Sequence, residues 1–321
     1  MIKLKITLLL LGWAASIHPV FSFNDPLTCE ATREKPCIVQ DTETPTSPVG
    51  SLRDTLMISD YYHGNLAGVE NLRMSLSAEP GSQGWQQVAD YIRSRAGIEP
   101  HQVLVLDLRQ ENHGYLNGNA ITLCDLHNWL NLGKTAEESI ATETQWLARL
   151  SSLKKIDNVL TVQQFAKKDY GTGHSIAVET LLSEKEQVTQ TGFAYRRLPV
   201  TDHRAPLDKE VDTFVSLVKK LPKGMWLHVH CRGGKGRSTT LLAMYDMLNN
   251  ADKASFNDII ERLAAIPPYY DLTQIVRTDP DLTPYYQERL QFLQRFYEYA
   301  EARLKGYSGP WSQWKAEHQL T

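Results

Sequence analysis

The segment from Trp226 to Asn249 restricts the possible folds more than any other part of the chain. Trp226-Leu227-His228-Val229 reads as a buried strand, and Leu241, Leu242, Tyr245 and Leu248 share one face of a helix that begins near Ser238. Between them runs His230-Cys231-Arg232-Gly233-Gly234-Lys235-Gly236-Arg237-Ser238-Thr239. A strand that passes through a glycine turn directly into a helix can curl its backbone N–H groups around one bowl. At a helix N-terminus such a bowl is an anion site of phosphate size. Its positive field favours a thiolate, the nucleophilic form of cysteine, and Arg237 adds a planar guanidinium for phosphate oxygens. Cys231 is therefore the expected nucleophile. Arg232, Gly233, Gly234, Lys235 and Gly236 are the expected cradle of the substrate.

The rest of the chain alternates in the same way. Val103-Leu104-Val105-Leu106 is a continuous apolar run, the pattern of a strand covered on both faces. Residues 137–153 and 208–220 repeat apolar positions at helical spacing, residues 158–165 and 195–200 read as strands, and residues 254–303 are largely helical. Asn117-Gly118 marks a turn, and residues 171–192 are polar without a clear period. Alternating strands and helices predict an α/β domain with a mostly parallel sheet. Ligands of such sheets sit at the carboxyl ends of the strands, where the Cys231 loop falls.

A chain of 321 residues, 42% of them hydrophobic, can bury one substantial core plus a small annex. Its formal charge of −3 provides no global field for nucleic acid or anionic membranes, so attraction for an anionic substrate must be local. Lys3 and Lys5 precede an apolar run from Ile6 to Trp13, and Val20-Phe21-Ser22 offers small residues for cleavage. This pattern predicts a secretory signal over residues 1–22 and an exported protein, periplasmic or secreted. Residues 23–50, rich in Thr, Pro, Ser and Glu, are expected to be a poorly ordered lead-in, with the catalytic domain over 51–321. No later run approaches the ~20 apolar residues of a membrane span, and no stable membrane association is expected. In an exported protein Cys29 and Cys37 can close a short disulfide loop. No His/Cys cluster has zinc spacing, so neither a metal nor another cofactor is expected.

A phosphate monoester dianion repels nucleophiles and reacts through a loose transition state, so catalysis rests on positioning and on stabilising the oxygens. Attack by Cys231 would form a cysteinyl phosphate and divide one hard step into two. Ser238 can donate to the sulfur as the thiolate re-forms. The leaving alkoxide needs a proton. Asp202, in the loop that precedes the helix at 208–220, is the expected acid and then the base that activates water. His203 beside it is expected to orient the loop or to touch the substrate. A thiol protease, the other common use of a single cysteine, would need a distant histidine base and has no use for Arg237.

These residues resemble the signature His-Cys-x5-Arg-Ser/Thr of the cysteine-dependent protein tyrosine phosphatase superfamily. Asp107-Leu108-Arg109-Gln110-Glu111-Asn112-His113-Gly114, Asn131-Leu132-Gly133-Lys134-Thr135, Thr201-Asp202-His203 and the tail Gly306-Tyr307-Ser308-Gly309-Pro310-Trp311 resemble its bacterial phytases, as do Asn117-Gly118 and Trp226 to Cys231. The resemblance implies a phosphatase-like α/β core with a small partial β-barrel annex within residues 110–195. It also implies stepwise, metal-independent hydrolysis of myo-inositol polyphosphates as small-molecule substrates. By position it adds Arg53, Lys167, Lys168 and Arg289 as basic substrate contacts. Two departures stand out. A lysine expected shortly before Tyr285-Tyr286 is absent, and Arg232 and Lys235 occupy positions where many such phytases have acidic or apolar residues. Basic residues there are similar to those of phosphoinositide phosphatases. The alternative reading is thus a phosphoinositide or phosphotyrosine phosphatase using the same loop. His113 is expected to be a turn histidine with a satisfied hydrogen bond, and Trp311 and Trp314 to pack the C-terminal tail onto the core.

Overall fold

The computed structural model describes residues 29–319, so the signal pattern at 1–22 lies outside the described residues. Eleven strands follow in chain order: β1 (Cys37–Gln40), β2 (Arg53–Asp54), β3 (Met74–Ala78), β4 (Val103–Arg109), β5 (Asn112–Leu116), β6 (Asn119–Cys124), β7 (Lys155–Thr161), β8 (His174–Ala177), β9 (Leu181–Leu182), β10 (Ala194–Val200) and β11 (Trp226–Cys231). They form two sheets. The first has the order β10-β4-β11-β3-β2, and all its pairings are parallel except β2 with β3. This is the expected mostly parallel sheet, with β11 at its centre.

Alternation along the central strands explains how both faces are covered. Leu227 and Val229 join Met74, Leu76, Leu106 and Leu108 in a core packed by the helices Asp208–Lys220, Gly236–Asn250 and Thr283–Leu304. Trp226 faces the other way, with Val103 and Val105, onto Trp85, Val88 and Ile92 of the helix Gly84–Ala96. Trp311 and Trp314 are buried against the first core, where the rings of Phe292, Phe296 and Tyr299 receive Trp311, as the tail's composition predicts.

The second sheet has the order β8-β7-β1-β6-β5-β9, and it is open, because β8 and β9 are not paired with each other. Only two residues, Gln110 and Glu111, separate β4 of the first sheet from β5 of the second, so the strand that flanks β11 runs straight into the second sheet. Asn117 and Gly118, both at positive φ (51° and 82°), make the tight β5–β6 hairpin.

Three expectations change here. Residues 29–50 are not a poorly ordered lead-in throughout: β1 lies inside the second sheet between β6 and β7, and Cys29 is joined to Cys37 by a disulfide. The four-residue run Cys37-Ile38-Val39-Gln40 was masked by its polar flanks. The strand expected at 158–165 ends at Thr161, whose side chain accepts from the Gln164 amide and caps the short helix Val162–Ala166. His113 lies on β5, fully buried, and not in a turn. Among the described residues no helix is long and apolar enough to cross a membrane.

Candidate active site

The chain leaves β11 at Cys231 and enters the helix Gly236–Asn250 five residues later. Gly234 allows the turn. It has φ +64°, and a Cβ there would lie 2.3 Å from the Ala78 amide nitrogen and 2.4 Å from the Ser77 carbonyl carbon, so no side chain fits. The first bond of that helix is Thr239 N–H to Lys235 O (2.9 Å), and the amides ahead of it lack an intrahelical acceptor, as at any helix N-terminus. The loop faces a cavity of about 460 Å³. Cys231, Arg232, Gly233, Lys235 and Gly236 form its floor; Asp202, His203, Asp41, Val162, Tyr270, Tyr286 and Arg289 complete the walls. A larger groove of about 880 Å³ between β10 and the helix Asp208–Lys220 contains none of the predicted site residues.

Ser238 Oγ donates to Cys231 Sγ at 3.3 Å, as expected. Arg237 is buried, and Glu111 holds it from behind: Nη1 donates to Oε2 at 2.7 Å and Nη2 to Oε1 at 2.9 Å. Nη1 also lies within 3.2 Å of the Val200 carbonyl. The Nη1/Nη2 edge of the guanidinium therefore belongs to Glu111. What Arg237 keeps for the cavity is its Nε–H, buried without a hydrogen-bond acceptor though 3.2 Å from Asp202 Oδ1, and the second hydrogen of Nη2. Burial pushes the Asp202 carboxyl up, but Arg237 and His203 outweigh it and hold the group below the ordinary carboxylate range.

Asp202 is fastened on three sides. Its Oδ2 accepts from Asn128 Nδ2 (2.8 Å), its main-chain carbonyl from Trp129 Nε1 (2.9 Å), and its Oδ1 from the His203 amide (3.0 Å). His203, at φ +66°, lines the cavity; its Nδ1 is 3.4 Å from the Tyr286 hydroxyl. Arg289 is buried in the wall, donates to the Tyr270 hydroxyl at 3.0 Å and lies 4.8 Å from the Tyr286 ring centroid. Lys235 is exposed to the cavity, with no ion pair among the described residues.

Three basic residues do not stand where the resemblance put them. Arg53 is 1% exposed and lies behind the loop, donating to the carbonyls of Ser51 and Gly234 and to Thr239 Oγ1, each at 2.8 Å. Burial lowers its guanidinium to about 10, with Cys231 acting the other way. It braces the loop and does not line the cavity. Lys167 and Lys168 are exposed beyond the helix Val162–Ala166 and form no part of the walls. Arg232 does reach the cavity, but its Nε donates to Asp41 Oδ1 (2.8 Å) and its Nη1 to Asn128 Oδ1 (3.0 Å). Sequence reasoning missed Asp41 and Asn128 altogether and gave Glu111, a residue of the Asp107–Gly114 stretch, no role.

Behind the loop, His230 faces Glu79 (3.2 Å) and Glu184 (2.7 Å), and Glu184 bridges to His113 at 2.8 Å. His113 also faces Asp107 and Glu143, and Arg109 faces Glu79 and Glu111. Burial disfavours a charge on either imidazole, yet the carboxylates around them, Glu143 first for His113 and Glu184 first for His230, raise both well above the ordinary histidine range.

Comparison with known proteins agrees with this geometry. A family model for PTP-like phytases, described by the words inositol hexakisphosphate, matches residues 106–249. The PTP-like myo-inositol phosphatase of Mitsuokella multacida, solved with myo-inositol-(1,3,4,5)-tetrakisphosphate, is 30% identical with a TM-score of 0.78, over 89% of this chain and 48% of that one. A PTP-like phytase from Bdellovibrio bacteriovorus is 31% identical with a TM-score of 0.69, over 87% of this chain and 94% of that one. The effector protein hopD2 of Pseudomonas syringae pv. tomato is 34% identical over 227 residues, which are 70% of this chain and 48% of the effector. The chain thus spans about half the length of the Mitsuokella and Pseudomonas proteins.

Proposed function

The chain belongs to the PTP-like phytase family, and from that premise we propose that it is a cysteine-dependent phosphatase that hydrolyses monoesters of phytate and lower myo-inositol phosphates. The observation that carries the reading is the cavity that brings Cys231 and Asp202 together, with the buried Nε–H of Arg237, which has no hydrogen-bond acceptor, 3.2 Å from the Asp202 carboxylate. A phosphoryl group over Cys231 would meet that donor, the second Nη2 hydrogen and the loop amides. The Cys231 thiolate attacks phosphorus, the P–O bond to the alcohol breaks, and Asp202 gives its proton to the leaving oxygen. Water then attacks the cysteinyl phosphate, Asp202 takes the proton, and the S–P bond breaks as Ser238 donates to the departing sulfur. Binding a dianion against Arg237 supplies the competing charge that lifts Asp202 back toward its protonated form.

Arg289, Lys235 and His203 face a substrate larger than one phosphate, which supports a multiply phosphorylated ring. The Mitsuokella protein's bound inositol tetrakisphosphate supports the same class. The disulfide near the N-terminus supports export, since such bonds persist in oxidising compartments. A second reading is a phosphoinositide or phosphotyrosine phosphatase using the same loop, and Arg232 and Lys235 in the cavity floor support its phosphoinositide form. Phosphate release from phytate, a soluble phosphoinositide and a phosphotyrosine peptide tests both, with Cys231→Ser and Asp202→Asn as controls. Phytate turnover that Cys231→Ser abolishes is expected. Phosphotyrosine turnover far above phytate, or full activity in Cys231→Ser, overturns the proposal.

A further inference from the structure

The loop after β6 holds Asp202 at two points, the main-chain carbonyl through Trp129 and the carboxylate through the Asn128 amide. Asn128 follows β6, is only 7% exposed, and has φ +61°, a conformation that Asn tolerates better than most residues. Asp125 shapes its loop, accepting from the amides of His127 (3.3 Å) and Trp129 (2.7 Å) through one carboxylate oxygen. The Asn128 amide then spans the gap between the phosphate loop and the acid loop, with Oδ1 on Arg232 and Nδ2 on Asp202. Its orientation has no freedom. A guanidinium can only donate and an ionised carboxylate only accept, so oxygen must face Arg232 and nitrogen Asp202.

We propose that Asn128 is a positioning residue for the general acid: it fixes the plane of the Asp202 carboxylate and ties it to Arg232 of the nucleophile loop. The inference rests on the phosphatase reading above and goes beyond it. Once the backbone at residue 202 is held by Trp129, the carboxylate keeps one soft torsion. The His203 amide meets Oδ1 locally, and the Asn128 bond to Oδ2 closes that torsion from the far side, with Oδ1 left 3.2 Å from Arg237 Nε. Arg232 is in turn fixed by Asp41 at the end of β1. The second sheet thereby aims the acid that serves the first.

The leaving-group dependence of kcat/KM separates aim from mere folding, because kcat/KM reports phosphoryl transfer to Cys231 and not the later hydrolysis. Asn128→Gly keeps the left-handed backbone and removes the amide. Its kcat/KM is expected to fall about tenfold or more on phytate, whose alkoxide needs a proton, and to fall far less on dinitrophenyl phosphate, whose leaving group needs none. Asp202→Asn should show the same selectivity. Asn128→Asp, with a carboxylate facing Asp202, should move the alkaline limb of the phytate pH profile upward. Equal losses on both esters in Asn128→Gly, or no loss on phytate, overturn the proposal alone if Asp202→Asn remains selective. Wild-type protein that turns over neither ester overturns the phosphatase reading and this proposal with it.

Discussion

Replacing Glu111 by Gln tests whether the nucleophile loop is aimed from behind. Glu111 is fully buried, and its two oxygens take both terminal nitrogens of Arg237 and Nε of Arg109 at 2.7, 2.9 and 3.1 Å. Glutamine keeps the shape but loses the charge, and it turns an N–H toward a guanidinium that can only donate. Breaking one side of a buried pair costs about 3–5 kcal/mol, because the other charge stays buried. At roughly 2–4 °C per kcal/mol for a domain of this scale, the melting temperature should fall on the order of 10 °C. The deficit should also depend on pH. The Glu111 carboxyl is penalised by burial but held far below its ordinary value near 4.5 by Arg237 and Arg109. Its stabilisation is therefore complete above that value and is lost as pH falls toward the depressed one. Wild type and Glu111→Gln should converge in acid and separate at neutral pH. On the folded protein kcat/KM for phytate should drop about a hundredfold, the scale of a 1 Å misplacement of a catalytic group. Calorimetry across pH with steady-state phosphate release measures both effects. A variant with wild-type melting temperature and kcat/KM at neutral pH would refute the claim that Glu111 aims Arg237.

Ser238→Ala removes the 3.3 Å donor to the sulfur, so breakdown of the cysteinyl phosphate should slow about tenfold or more, the scale of one hydrogen bond to a charged group. Rapid quenching should trap the phosphoenzyme while kcat/KM changes little. His113 and His230 have folded values raised well above 6.5; the stability they contribute is complete below that value and is lost as pH climbs through the raised ones. Melting temperature should thus decline from neutral to alkaline pH, less steeply in His113→Gln. Reduction of the Cys29–Cys37 bond, which closes a loop with a sequence separation of 8, should cost about 2–3 kcal/mol by loop entropy, read as a lower melting temperature in dithiothreitol that Cys29→Ser reproduces.

The parts of the site that were legible are those whose signal is local. Cys231, Arg237 and Ser238 share one strand–turn–helix, and Asp202 and His203 sit in the loop between β10 and the helix Asp208–Lys220. The supports were not legible because their partners are distant in sequence: Glu111 meets Arg237 across 126 positions and Asn128 meets Asp202 across 74. A charged residue on a single sequence also reads as exposed by default. That default is why Glu111 and Asp41 were passed over. Arg53 went wrong in the opposite sense, since a basic residue near an anion site invites the role of ligand. Its two bonds behind the loop, to Gly234 and Thr239, show a different use of the same charge. The helix at Val162–Ala166 was readable in principle, since Thr161 and Gln164 form a capping box.

The cluster behind the loop raises the question of why ionic groups fill a volume that apolar side chains could occupy. Hydrophobic replacements of a buried ion pair are often as stable or more so, so stability alone does not explain Glu79, Asp107, Glu111, Glu143 and Glu184 facing Arg109, Arg197, Arg237 and two imidazoles. Direction does. Apolar packing resists compression but sets the angle of a guanidinium loosely, whereas a two-point carboxylate contact fixes both its plane and its reach. Arg237 keeps Nε free of any hydrogen-bond acceptor while its two terminal nitrogens are bound, and the acceptor pair behind it enforces that. Glu111 carries this constraint on to Arg109, and Arg109 to Glu79, which faces His230, the residue before the nucleophile. Since β4 runs through this cluster into the second sheet, the sheet that holds Asn128 and the loop that holds Cys231 share one rigid frame. Acid and nucleophile are then positioned against the same scaffold, and loss of any single charge in it should disturb both.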